Sequence, residues 1–508
     1  MRRLGLLLVL LLVLGLELRA RASLLPRRDL AALSDAITEL DLARAERLVA
    51  EIDAQTPLFL LERARLLVYL GDCVGASAVL SNPAVTESKE GAQLAAVARA
   101  CARATASGFV VEDKERGIWL RLQDDADRVF APYVFRVAAQ ARDRIGAELG
   151  VDMPRPLRID LVRDLFSLSA VTGLPLEAAE TTGTLAVARF GRIIMLSPRA
   201  TRSGYHWEDT LAHELTHLLV TRATRDRAPL WLQEGVAKRE ETRWREDRPF
   251  DPKGWADETA SRALKSGRQV GIDKLGNSIA LLPTPEAAAT AYAEVHSFID
   301  YFVAQQGEAA LRLLFADLKG IGSDDPSSAL RSVSGYDLPT WNRRWQLYLL
   351  EASPTVASTP SGGRSGDPRD LARRARLGDL LLGGGHGAEA ALTLAPGQAG
   401  SSVAYRFRVA RAELARKDPV EAAARLGVET EIDGLFGPWF GLRGRLLEKT
   451  DAAAAARAFA LGVASDPLSE EVACEGRFSV GSRLDEDRLP PSPAARALCE
   501  AARALPRD

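Results

Sequence analysis

The spacing of apolar residues changes twice along this chain, and the change confines any β-sheet to one short stretch. Residues 23–106 carry apolar positions at the helical period, among them Leu30, Ala31, Leu33 and Ile37, then Leu60, Leu61, Ala64 and Leu67, with breaks at Pro57 and Gly71. This pattern predicts antiparallel helix pairs. From residue 107 the period becomes that of a strand: 109–111 and 118–122 flank the polar segment 112–117, which predicts a hairpin. An amphipathic helix over about 125–149 follows, then strands at 157–162, 184–189 and 192–196, the last two split by Phe190-Gly191. Helical periodicity resumes from 207 to 350. The expected fold class is an α+β unit over 107–352, a mixed sheet plus packed helices, flanked by all-α regions.

Residues 353–368 are so rich in Ser, Pro, Gly and Thr that they cannot bury enough apolar surface to order themselves, and they read as a flexible linker. Beyond it, 369–508 is helical again. Trp439, Leu442, Leu446, Ala455, Phe459 and Pro467 fall at the spacings of the 34-residue tetratricopeptide pattern, with Arg443 where a Gly is usual. A single such helix pair leaves one apolar face uncovered, so the remainder of this region is expected to stack on it as tetratricopeptide-like repeats. His386, within a Gly-rich run, falls in a turn between helices.

At the other end, Arg2 and Arg3 precede a nearly pure aliphatic run, and Ala20-Arg21-Ala22 supplies small residues before Ser23. About 13 apolar residues are too few for the ~20 that span a bilayer, so 1–22 reads as a cleavable signal peptide. The protein is then exported, to the periplasm or beyond, with no membrane span after signal removal. Against 66 Lys+Arg stand 68 Asp+Glu, a net charge of -2, which offers no positive field for nucleic acid. In an oxidising compartment the four cysteines make sense as two local pairs, Cys73 with Cys101 and Cys474 with Cys499, although four cysteines allow three connectivities.

The chemistry concentrates in residues 211–220, Leu-Ala-His-Glu-Leu-Thr-His-Leu-Leu-Val. His213 and His217 are four apart, so on a helix both imidazoles leave one face and can ligate one metal ion, with Glu214 beside them. Leu211, Leu215 and Leu218 form a separate stripe that anchors the helix. The three-histidine metzincin pattern is absent, because Ala223 stands six residues beyond His217 and Val220 takes the glycine position. Downstream, Pro229 opens a second helical pattern that carries Glu234. A carboxylate there, packed against the first helix, completes a tetrahedral His-His-Glu set.

With those residues in view the chain resembles the gluzincin metallopeptidases, specifically bacterial peptidase MA-like domains. The resemblance rests on His213-Glu214-Leu215-Thr216-His217, on Trp231 to Ala237 (Trp-Leu-Gln-Glu-Gly-Val-Ala), and on Ala291-Tyr292 followed by Ser297-Phe298-Ile299-Asp300-Tyr301, and it covers about 107–352. It implies a zincin-like domain with one Zn2+ held by His213, His217 and Glu234, and Glu214 as general base. Glu241 matches an acidic position common in such domains and is a candidate to hold a ligating imidazole, against the plain alternative of a solvated charge within Lys238-Arg239-Glu240-Glu241. Two departures stand out. Lys238 replaces an acid found four residues after the third ligand in thermolysin-like relatives, and His296 stands where a tyrosine is frequent. Tyr292 and His296, four apart on one helix, are both candidate donors to the developing oxyanion, against the plain alternative that both pack in the core. His206 reads as a capping or surface residue.

The strands at 184–189 and 192–196 immediately precede the metal helix; an edge strand beside a cleft can align an extended peptide by backbone pairing, and a purely structural edge strand fits the same pattern equally well. The expectation is therefore an exported zinc-dependent metallopeptidase acting on a peptide or protein substrate, with a protein partner available to its helical repeats. The alternatives are a helical-repeat scaffold with an inactive peptidase-like domain, and a non-peptidase zinc hydrolase.

Overall fold

The computed structural model describes residues 29–465, apart from 53–54, 201–204, 206, 245–253, 277, 321–325, 352–367, 398–402 and 428–436. His206, Pro467, Cys474, Cys499, the signal segment and all of the linker but Pro368 lie outside the described residues.

Five strands form one mixed sheet: β1 (Phe109–Asp113), β2 (Ile118–Leu122), β3 (Leu157–Val162), β4 (Ala186–Arg189) and β5 (Arg192–Leu196), in the order β1-β2-β3-β5-β4. β1 and β2 are an antiparallel hairpin, β2, β3 and β5 run parallel, and β4 folds back antiparallel on β5 as the edge. The turn at Phe190-Gly191 has both residues at positive φ, 53° and 66°, which matches the twist a two-residue hairpin needs. The helix expected from about 125 begins as a 3-10 turn, Asp125–Phe130, and becomes α-helical only over Ala131–Leu149. Pro132 explains the delay: it has no N–H to give the Arg128 carbonyl, so it is tolerated only in a first turn. β4 begins at Ala186 rather than 184 because the Thr184 amide still bonds the Ala179 carbonyl at the end of helix Leu176–Thr182.

Both faces of the sheet are covered, which is why β5 is buried along its whole length. One face, with Ile118, Leu120, Leu122, Ile159, Leu161, Ile193 and Met195, packs on helices Ala131–Leu149 and Trp207–Thr224 in the main core. The other face, with Val162, Ile194 and Leu196, packs on Cys73, Cys101, Leu168 and Val171. Cys73 and Cys101 are disulfide-bonded, Cα atoms 5.7 Å apart, tying helix Cys73–Val79 to helix Lys89–Ala104. Closing that loop stabilises the fold by roughly 3 to 4 kcal/mol on the chain-entropy account.

After the sheet come helices Trp207–Thr224, Leu230–Glu240, Trp255–Lys265, Pro285–Gln306, Ala309–Lys319, Pro326–Ser334 and Leu338–Glu351. Gly235 lets two of them approach: a Cβ there would sit 2.4 Å from Ile299 Cγ1 and 2.7 Å from the Val295 carbonyl on helix Pro285–Gln306. From Pro368 to Ser465 successive helices pack on their neighbours, including Gly437–Leu447 on Ala452–Ser465. In that pair Trp439 and Phe459 are buried, and it is Gly444, next to Arg443, whose missing side chain admits the Phe459 ring. His386 caps helix Gly387–Leu394 in the turn after Pro368–Gly383. Among the described residues no helix is long and apolar enough to cross a membrane.

Candidate metal centre

Helix Trp207–Thr224 buries Leu211, Leu215, Leu218 and Leu219 in the core and turns His213, Glu214 and His217 towards a cleft of about 750 Å³. The chain reverses through Arg225 and Asp226, both at positive φ, and Pro229 caps helix Leu230–Glu240 from outside its first turn. That reversal lays the second helix along the first. His213 Nε2 and His217 Nε2 lie 3.2 Å apart, and Glu234 Oε2 lies 3.5 Å from each. Ligands bound at 2.0–2.1 Å in a tetrahedron are separated by about 3.3 Å, so this spacing suits a cation of zinc's size.

The surroundings are also those of a cation seat. Glu234 Oε2 is buried and receives no hydrogen bond, an arrangement that is costly unless a positive charge faces it. Burial alone would depress the His213 imidazole, yet Glu234 and Glu241 pull it up to about 10, so these carboxylates retain a proton where nothing else neutralises them. Glu234 is shifted the other way, its own burial outweighed by His217 and His213. Three carboxylates and two imidazoles gathered this tightly fit a divalent ion.

Each imidazole is held from behind. His213 Nδ1 faces Glu241 Oε2 at 3.3 Å, and His217 Nδ1 lies 3.2 Å from Gln233 Oε1. The Gln233 oxygen favours the proton of His217 on Nδ1, and the Glu241 carboxylate opposite His213 Nδ1 does the same through its charge, although that contact is not a formed hydrogen bond; a proton on Nδ1 frees Nε2 for the ligand position. Gln233 had no role in the sequence reading. Its signal was its place, one residue before Glu234 and hence a third of a turn round the same helix. Lys238 Nζ grips Glu241 Oε1 at 2.5 Å, and Glu241, against the cost of burial, is held down at about 2 by Lys238 and His213. The lysine that replaces an acid thus braces the carboxylate three residues on.

Glu214 Oε2 accepts the Ala188 amide of the edge strand at 2.5 Å, and burial raises its pKa despite both imidazoles. Tyr292 lines the same cleft, its ring centroid 6.3 Å from that of His213. Burial first, then Glu234 and Glu214, push its phenol well above the ordinary range, so it stays a donor. The other candidate donor, His296, is placed differently. It does not line the cleft; its Nε2 pairs with Asp300 Oδ2 at 3.2 Å and its ring lies against Trp255. An acid one helical turn on captures it, and that acid was readable in the sequence.

Residues 137–351, somewhat under half of the chain, match the family model described as the Peptidase MA superfamily, a similarity that supports a peptidase MA-like domain in this stretch. The matched range contains His213, Glu214, His217, Glu234, Glu241 and Tyr292 but not β1 and β2. Neither a curated protein nor a solved structure matches the chain.

Proposed function

We propose that the chain is an exported zinc-dependent metallopeptidase of the gluzincin type that hydrolyses peptide bonds. The observation that carries this reading is the convergence of His213 Nε2, His217 Nε2 and Glu234 Oε2 at tetrahedral ligand spacing. These three residues would hold the ion, which when bound supplies a Lewis acid that polarises a carbonyl and acidifies water. Glu214, aligned by the Ala188 amide, accepts the proton of the attacking water and returns it to the leaving nitrogen. Tyr292 donates to the oxyanion that develops as the carbonyl is attacked.

The edge strand supplies the substrate shelf. Just before β4 the Leu185 carbonyl bonds the β5 amide of Leu196, whereas the amides of Thr184 and, on β4 itself, Ala188 turn away to Ala179 and Glu214. Alternation therefore leaves the Ala186 amide and carbonyl on the outer edge, where an extended peptide can add as a further strand. Export is supported by the basic and aliphatic N-terminal sequence and by the Cys73–Cys101 disulfide, which belongs to an oxidising compartment. The helix pairs beyond Pro368 are assigned, as tetratricopeptide-like repeats, to a protein partner.

The test is metal analysis of the purified protein followed by peptide-library cleavage with and without a chelator. One equivalent of zinc and chelator-sensitive cleavage are expected. Glu214→Gln keeps the zinc and loses about a thousandfold or more in hydrolysis. Metal retention with cleavage of some other amide or ester, and of no peptide, makes it a different zinc hydrolase. Unchanged biological activity in Glu214→Gln makes it a scaffold.

A further inference from the structure

The turn between the two metal-site helices reads Arg225-Asp226-Arg227, a run that would neutralise itself if its side chains met. They do not. Arg225 is drawn away to Glu39, whose Oε1 accepts both Nε and Nη2 at 2.6 Å. Arg227 Nη1 is drawn to the carbonyl of Gly320, at 2.6 Å. Asp226 is left between them on the wall of the cleft, exposed to it, with the Thr221 hydroxyl donating to Oδ1 at 3.4 Å. The cation whose charge acts on it is Arg65, itself engaged by Glu62, Ser34 and Thr38.

Its aim is fixed by the backbone. Arg225 and Asp226 are consecutive non-glycine residues at φ 55° and 59°, a left-handed conformation that is unfavourable for residues with a Cβ and persists only where the surroundings enforce it. The Asp226 amide bonds the Thr221 carbonyl at 2.9 Å, closing the turn. Thr221 Oγ1 in turn accepts from Gln233 Nε2 at 3.3 Å, and Gln233 Oε1 meets His217 Nδ1. A short chain of polar contacts therefore sets this carboxylate at a constant offset from the metal ligands, on the same wall of the same cleft.

We infer that Asp226 is a specificity-determining residue: a subsite carboxylate that selects peptides bearing a cationic group, either a lysine or arginine side chain or a free α-ammonium. The inference rests on the metallopeptidase reading and names the substrate class of that site. The cleft that Asp226 lines is also lined by the apolar Ala228 and Leu230, two and four residues on in the chain, which suits the methylene stem of a long basic side chain. A cationic group there replaces the arginines that the fold has diverted.

The test separates binding from hydrolysis. Glu214→Gln protein is titrated with four fluorescent peptides that carry either lysine or norleucine at one position, each with a free or an acetylated N-terminus. The lysine or the free amine is expected to tighten binding about fivefold, the two arms distinguishing side chain from α-ammonium. Asp226→Asn added to this background abolishes the preference, Asp226→Glu restores part of it, and salt erodes it in the parent. Equal or absent binding of all four peptides, or a preference that survives Asp226→Asn or high salt, overturns the assignment. Hydrolysis by otherwise unaltered protein is measured in parallel. Its absence overturns the peptidase reading, while the binding preference stands or falls by itself.

Discussion

The sheet separates two clusters of buried charge that solve the same problem in opposite ways. On the face that meets the N-terminal helices, Asp160 lies between Arg121 and Arg192, bonding Arg121 Nε at 2.5 Å and Arg192 Nη1, while Arg121 Nη1 reaches the Gly71 carbonyl. All three side chains are buried, Arg192 completely. Here donors face an acceptor, and the cluster ties β2, β3 and β5 to the helix Pro57–Leu70 through its cap Gly71. On the far side of the main core, Glu234 and the two imidazoles turn acceptor atoms towards one another. A cluster whose opposite charges meet one another holds the fold together even though Arg121 Nη2, Arg192 Nε and Arg192 Nη2 stay without a hydrogen-bond partner, whereas one whose acceptors converge on a point suits a cation supplied from outside.

This contrast breaks most sharply at Asp160. Asp160→Asn leaves two buried guanidinium groups without their anion and is expected to cost about 3 to 5 kcal/mol in unfolding free energy, read by denaturant titration. Zinc stoichiometry at saturating metal should stay at one. A variant as stable as its parent, or one that stays folded but no longer takes up zinc, would remove the distinction between the clusters.

At the metal centre the effects fall on chemistry instead. Tyr292→Phe removes a single hydroxyl and should lower kcat about a hundredfold with KM nearly constant, because an oxyanion donor acts on the transition state. Next in size comes Glu241→Gln. It weakens the charged contact behind His213 and should reduce zinc affinity about tenfold, measured by competition with a chelator. Lys238, which braces Glu241, predicts the same direction for Lys238→Met. If zinc affinity is unmoved in Glu241→Gln, Glu241 is an ordinary partner of Lys238.

Much of this was legible beforehand, for reasons that differ by element. His213 and His217 could be paired from spacing alone, since a helix sets both on one face, and Glu234 from the helix that Pro229 announces. The β4–β5 hairpin showed through Phe190-Gly191. What one-dimensional pattern cannot carry is which partner claims a side chain. Apolar periodicity in residues 29–104 declares that those helices bury a face, but not that the face is shared with Val162, Ile194 and Leu196 of the sheet. Likewise the Arg225-Asp226-Arg227 run looks self-neutral until Glu39, nearly two hundred residues away in sequence, takes one of its arginines. Gln233 was in plain sight, yet an amide acquires its role only once His217 Nδ1 is seen to face it.

The smallest expected effect tests the same lesson on one helix. Tyr292 and His296 are a single turn apart on Pro285–Gln306, which places both Cβ atoms on nearly the same face, yet Asp300 Oδ2 lies 3.2 Å from His296 Nε2 and Trp255 flanks the ring. Asp300 is half exposed, so this contact contributes at most about 1 kcal/mol. His296→Gln should therefore change kcat by less than about twofold while lowering the unfolding midpoint slightly. A hundredfold loss of kcat in His296→Gln, with stability intact, would return His296 to the active site and require the helix to rotate when substrate binds.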